Sequence, residues 1–338
     1  MSEVLDPLLV PDGVPSRRRD AKTLRRFIGG PLVGVSVVVL AVLATAALFG
    51  GRLWHYGYAE ITPEFSTPPS WAHPMGTDGV GHDGLAQVLR GAQKSMQVAL
   101  LAALVSTVIG VVVGAAAGFR RGWIDATLMR LTDLVLTVPG IAVLIVLAGH
   151  VRGTAGNWMA IALIVASLGW PATARVVRAV VLSLREQAFV EAARAAGARD
   201  LHIIVRHVVP HAAGPVIVRG TFAVGGAIFA ETGLSYLGLG ISPPDTSLGS
   251  LVAAGQAAAT TRPWLFYFPG LSIALIVLTV NLLGDALRDA LDPHTPGQVR
   301  TGMFSMRWSP RVARPAITRR PPSPPARTVS RASTDSRA

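Results

Sequence analysis

Long uncharged stretches recur along the chain and set its architecture. Such runs, mostly apolar, cover 27–51, 95–119, 134–151, 153–174 and 263–284. Each has the roughly 18 residues that a helix needs to cross a bilayer. A further apolar run, 212–238, is interrupted by Arg219 and Glu231. Buried helices of soluble proteins do not recur at this length. The pattern therefore predicts five clear membrane spans and a sixth that carries charge. The run at 27–51 is longer than the apolar region of a signal peptide, and Ala44-Thr45-Ala46 lies inside it, so a retained helix is expected.

The basic residues orient these spans. Arg17, Arg18, Arg19, Lys22, Arg25 and Arg26 precede the first run, and Arg120, Arg121 and Arg130 follow the second. Arg175, Arg178, Arg185, Arg194, Arg199 and Arg206 follow the fourth, and Arg288 and the C-terminal tail follow the sixth. The opposite side holds only Arg52, Arg90, Lys94, Arg152 and Arg262. Basic residues concentrate in cytoplasmic loops, so both termini are expected in the cytoplasm and the number of spans is even. Arg219 then lies about 9 Å inside the fifth span, within reach of cytoplasmic headgroups for its long stem. Glu231, near the outer end, is expected to face a cavity or a partner helix.

Composition agrees with a lipid setting. Of 338 residues, 51% are hydrophobic and 15% charged, against about 25% charged in soluble domains. The net charge of +12 is read as the basicity of membrane-protein loops, with the bilayer and not nucleic acid as its partner. The absence of cysteine excludes disulfides and thiolate metal sites. The expected organisation is all-α and polytopic, with six transmembrane helices. A cytoplasmic segment spans 1–28, and a first helix with a long external segment spans 29–94. A five-helix core spans 95–293. A basic, Pro-rich tail at 294–338 is expected to be disordered and cytoplasmic. No internal repeat is visible.

Within the core, the internal loop 187–211 has its own pattern. Alanine and charge dominate 191–196, which favours helix. Gly197 suits a left-handed helix cap, Asp200 can cap a second short helix, and Pro210 is expected to break it. Glu191 and Arg194 share one helical face. Small side chains flanked by charge suit either close docking of another protein or a helix lying on the membrane, and the pattern leaves both open. Gly110, Gly114 and Gly118 form a small-residue series on the second span, suited to close helix packing within the chain or against a partner. Pro31, Pro139, Pro171, Pro215 and Pro269 lie in or beside spans, where proline is common, so no single one is expected to mark a kink. His55, His73 and His82 accompany Asp78 and Asp83 externally, but at spacings that match no standard metal motif, and no metal is expected.

Glu191-Ala192-Ala193, Gly197 and Pro210, at these spacings, resemble the EAA loop of ABC importer permeases. Residues 73–83, with Gly76-Thr77-Asp78 and Asp83, followed by Arg90-Gly91-Ala92, resemble an external segment of the dipeptide/oligopeptide/nickel branch. Glu231 with Leu234-Ser235-Tyr236-Leu237-Gly238-Leu239-Gly240 is similar to another stretch of that branch. So is Asn281-Leu282-Leu283-Gly284-Asp285 through Asp292-Pro293. His82, His207 and Val209 depart from the usual residues. The resemblance runs in register over about 30–295 and points to the C-type permease.

It implies a non-enzymatic chain, with no catalytic residue and no cofactor of its own, that forms half of a path for di- or oligopeptides. Nickel or another small solute is the alternative cargo. A second, B-type permease, two ATPase subunits or domains holding ATP and Mg, and an external substrate-binding protein are the implied partners, in the plasma membrane. Glu191, Ala192, Ala193, Arg194, Gly197 and Pro210 would couple to the ATPase. The chain has no G-x-x-x-x-G-K-[ST] phosphate cradle. A membrane enzyme would need convergent ionisable residues, which are scattered here. A stand-alone secondary transporter would usually carry more spans and internal repeats, and a non-transporting scaffold would not require the EAA spacing.

Overall fold

The computed structural model describes residues 31–154 and 156–291, with side chains from Gly34 onward. The expected cytoplasmic segment 1–28 and basic tail 294–338 lie outside the described residues. Helix α1 spans Pro31–Leu53, α2 Gly84–Arg120, α3 Gly122–Thr137, α4 Gly140–Val151 and α5 Trp158–Leu184. Short helices α6 (Ala188–Ala195) and α7 (Asp200–Ile203) follow, then α8 (Ala213–Tyr236), α9 (Leu248–Gly255) and α10 (Trp264–Leu291). Among the described residues every regular element is helical. Helices α1, α2, α5, α8 and α10 are long and apolar enough to cross a membrane.

The third expected span is broken. Helices α3 and α4 together have the apolarity of a crossing but meet at 84°. Pro139 explains the break. It offers no N–H to the helix and drives Val138, at ψ 135°, into the extended region. Pro139 is therefore a structural corner, contrary to expectation, whereas Pro171 and Pro269 lie inside continuous helices.

Two boundaries also move. Helix α2 starts at Gly84, not near residue 95, because Asp83 caps it: its Oδ1 accepts the Ala86 N–H at 2.7 Å. Its 37 residues give it a length of about 55 Å. Helix α5 runs on to Leu184, so Arg175 and Arg178 lie on a helix and not in a loop. Their guanidiniums meet Asp133 and Asp125 of α3, the second in a two-pronged pair at 2.6 and 2.7 Å.

Helices α2 and α5 are pressed together along Gly110, Gly114 and Gly118. A Cβ on these glycines would lie 2.6 Å from Thr173 Cβ, 2.5 Å from Ala174 O and 2.9 Å from Arg178 O respectively. The small-residue series is thus spent within the chain, where backbones approach closely. The main core joins Val98, Ala102, Ile161, Ala166, Ile228, Leu234 and Ile276. A second core, at the far end of α2, gathers Ala115, Phe119, Val177, Val181, Val190, Ile203 and Val208. Leu100, Leu104, Val108 and Val112 leave an exposed apolar stripe on α2, the surface a helix offers to lipid or to another span.

Candidate functional site

Helix α6 hangs from the second core by one fully buried side chain, Val190, while Ile203 and Val208 anchor the segment that follows. Arg194 places its guanidinium 5.1 Å from the centroid of the Phe119 ring at the end of α2. Arg185 donates to the Phe119 carbonyl at 3.0 Å, and Phe189 stacks on His211 at 4.9 Å. What remains outward is small. Ala192, Ala195, Ala196 and Gly197 are exposed beside Glu191 and Arg194, and Ala193 turns partly inward. The result is a shallow, charge-flanked surface on a rigid mount, into which another backbone can press closely.

Gly197 ends α6 as its sequence position suggests. It has φ +80°, its N–H donates to Arg194 O, and the Ala198 N–H reaches Ala193 O at 3.0 Å. These paired bonds satisfy the last carbonyls of the helix. A Cβ here would meet nothing within 4 Å, so backbone conformation alone demands glycine.

Two local expectations are corrected. Asp200 is not the cap of α7; Arg199 holds that position, and Asp200 sits in the first turn, where its charge favours the positive helix end. Pro210 does not break the chain. A π turn at Ile204–Val208 precedes it and a helical turn, Val209–His211, contains it. The wider turn sends the Val209 N–H to Ile204 O. The ladder has already shifted where proline offers no donor, and a single turn residue, Ala212, separates this stretch from α8.

At the opposite end of α2, the connector 54–83 folds into a bonded platform. Asp83 not only caps α2; its carboxylate accepts from Trp54 Nε1 at 2.9 Å and lies 2.7 Å from His73 Nδ1. Glu64 approaches the other nitrogen of that buried ring at 3.3 Å. Thr77 is fully buried and its hydroxyl accepts the Thr67 N–H. Gly76, at φ +68°, lies so close to Thr67 O and the Trp264 ring that no side chain fits. Asp78 accepts the N–H groups of Val80, Gly81 and His82, each at 2.8 Å, and pairs with His82 Nδ1. Burial alone would raise its pKa. The His82 ring and the backbone N–H groups outweigh that and hold the carboxyl below its ordinary range. His55 packs at a tilt against the rings of Trp54 and Tyr56. The four signature residues Gly76, Thr77, Asp78 and Asp83 thus build the platform from within.

Two polar clusters escaped the sequence reading. Asp245 takes Arg90 Nε at 2.9 Å and Lys94 Nζ at 2.9 Å, binding the loop before α9 to α2. Burial pushes Asp245 up, but the two cations prevail and lower its pKa. The second cluster is around Glu231. Its side chain is fully buried and accepts from Ser95 Oγ at 2.9 Å and Ser235 Oγ at 2.6 Å, with Ser247 behind Ser235 at 3.1 Å. It therefore faces a partner helix, α2 of its own chain, and not a cavity. Arg219 is half-buried in α8, its Nε shielded from solvent.

Known proteins place this geometry. Residues 110–295 match the family described as binding-protein-dependent transport system inner membrane component. The oligopeptide transport system permease protein OppC of Mycobacterium tuberculosis is 43% identical over 278 residues, covering 81% of this chain and 94% of the relative. OppC of Mycobacterium bovis shows the same identity and coverage. Among solved structures, an inward-facing MetNI methionine ABC transporter chain superposes with a TM-score of 0.50 at 18% identity, covering 61% of this chain and 96% of that one. At that identity the likeness concerns the fold. The chain belongs to the family of binding-protein-dependent transport system inner membrane components, as a multi-pass permease subunit of an ABC importer.

Proposed function

We propose that this chain forms half of a translocation path for di- or oligopeptides in the plasma membrane, paired with a second, B-type permease. Two ATPase subunits or domains bind ATP and Mg and press on α6. An external binding protein delivers cargo at the platform end. Both termini and α6 lie in the cytoplasm, a placement that the bias of basic residues supports. The peptide cargo follows the names of the OppC relatives.

The observation that carries the mechanism is the mount of α6. Val190 and Arg194 tie it to the ends of α2 and α5, so a push on Glu191, Ala192 and Ala193 is delivered to helices that cross the membrane. Pro210 acts from behind, in the turn that leads into α8. A nucleotide-dependent closure of the ATPases then biases the spans between two packed arrangements.

Uptake of a labelled tripeptide into proteoliposomes tests this reading. The vesicles hold this chain with its companion permease and ATPases. Uptake should require ATP on the α6 side and loaded binding protein on the platform side. Uptake driven by an ion gradient, without ATP, would contradict it in favour of a self-sufficient transporter.

A further inference from the structure

The platform 54–83 is acidic within a basic chain. It contains Glu60, Glu64, Asp78 and Asp83 and no Lys or Arg, within a protein of net charge +12. It also exposes large apolar side chains: Ile61 is 60% exposed, Phe65 59% and Val80 51%. Ile61 and Phe65 meet at the turn that carries Val80. The position of a Cβ on Gly81 would lie 3.3 Å from Ile61 Cγ2 and 3.2 Å from Phe65 Cε1, and Val80 precedes it directly.

The turn is held from both sides. Thr62 donates its N–H at 2.9 Å and its hydroxyl at 2.8 Å to Gly81 O, and the Asp78 carboxylate holds the N–H groups beyond. Exposed Glu60 and Glu64 directly precede Ile61 and Phe65 in the chain. Arg262 reaches its border but is engaged with Ser66 Oγ at 2.7 Å. An apolar centre fixed before contact, with a charged rim, is the anatomy of a protein interface. The acidic rim repels an anionic lipid surface, which leaves a soluble partner as the better fit.

We infer that Ile61, Phe65 and Val80, edged by Glu60 and Glu64, form the seat of the external binding protein, which meets them with an apolar patch rimmed by Lys or Arg. The inference rests on the importer reading above and names the surface that reading leaves open. The rim steers the encounter and the apolar centre holds it, so the seat sets how much binding protein is needed more than how fast the engaged complex turns over.

The test uses the assembled transporter in lipid nanodiscs and its cognate external binding protein, loaded with a peptide. ATPase rate is followed against binding-protein concentration. Phe65→Asp should raise the half-maximal concentration at least about tenfold, as expected for a centre residue, with the plateau retained. Glu60→Lys should raise it several-fold at low salt, and added salt should shrink that difference. Unchanged half-maxima in both variants would overturn the seat while leaving the importer reading standing. Unchanged half-maxima with quenching of a Phe65→Trp variant by brominated lipid would assign the patch to the bilayer and overturn it too. A wild-type complex that no binding protein stimulates would remove the importer reading, and the seat with it.

Discussion

The guanidinium of Arg194 lies over the ring of Phe119, 5.1 Å from its centroid. One residue belongs to the exposed helix α6, the other to the buried end of a 37-residue helix. The contact makes α6 an extension of the membrane-spanning body. Its two halves should behave differently. Phe119→Ala empties a core position and should cost about 3–5 kcal/mol. Arg194→Ala removes a cation–π contact worth about 0.5–1 kcal/mol, so the fold should persist while coupling falls. Melting curves of the purified subunit, read beside ATPase stimulation, separate the two.

Gly197 needs only its backbone conformation, since space around it is open. Gly197→Asn should therefore be tolerated, because Asn adopts positive φ more readily than other residues. Gly197→Val should cost about 1–2 kcal/mol or more and unwind the end of α6. Equal transport by the two variants would show that the cap does not matter.

Gly114 is the opposite case. Its Cβ position lies 2.5 Å from Ala174 O, so Gly114→Ala must force α2 and α5 apart, and overpacking of this kind costs about 1–3 kcal/mol. Gly226 in α8 has nothing within 4 Å, and Gly226→Ala should leave stability equal or higher by up to about 1 kcal/mol. Expression and monodispersity in detergent report the contrast.

Asp245 and Asp78 have pKa values lowered in the folded chain from an ordinary 3.8. A depressed carboxyl contributes stability that is fully present above its unfolded pKa and is lost as pH falls through the folded one. The melting temperature of wild type should thus approach that of Asp245→Asn as pH drops below about 4 and exceed it at neutral pH. A constant gap across that range would contradict the assignment.

Much of this architecture is legible in the sequence. Uncharged runs mark the spans, and Gly110, Gly114 and Gly118 announce a tight helix packing, although not that α5 is the partner. Gly197 and the alanines around it mark the end of α6. The corner at Pro139 is not visible, because the run 134–151 is apolar on both sides of it and hydropathy does not register direction. Pro210 looks like a breaker because a π turn has no local signature. Glu231 and Asp245 find partners 136 and 155 residues away, at Ser95 and Arg90. No periodicity carries that information, since only the packed bundle brings such positions together.

The platform teaches a related point. Gly76, Thr77, Asp78 and Asp83 are recognisable as a motif, yet Thr77, Asp78 and Asp83 spend their side chains on bonds within the segment. Exposed apolar residues of the segment, Ile61, Phe65, Trp71 and Val80, follow no motif.

The central claim is that α6 transmits the work of partner ATPases to the spans. The direct measurement is ATPase activity of the reconstituted complex, with and without loaded binding protein, for wild type, Glu191→Ala and Gly197→Val. Assembly is checked by co-purification of all subunits. The account predicts strong stimulation in wild type and its loss in both variants with assembly intact. Stimulation in Gly197→Val equal to wild type, in a fully assembled complex, would contradict it.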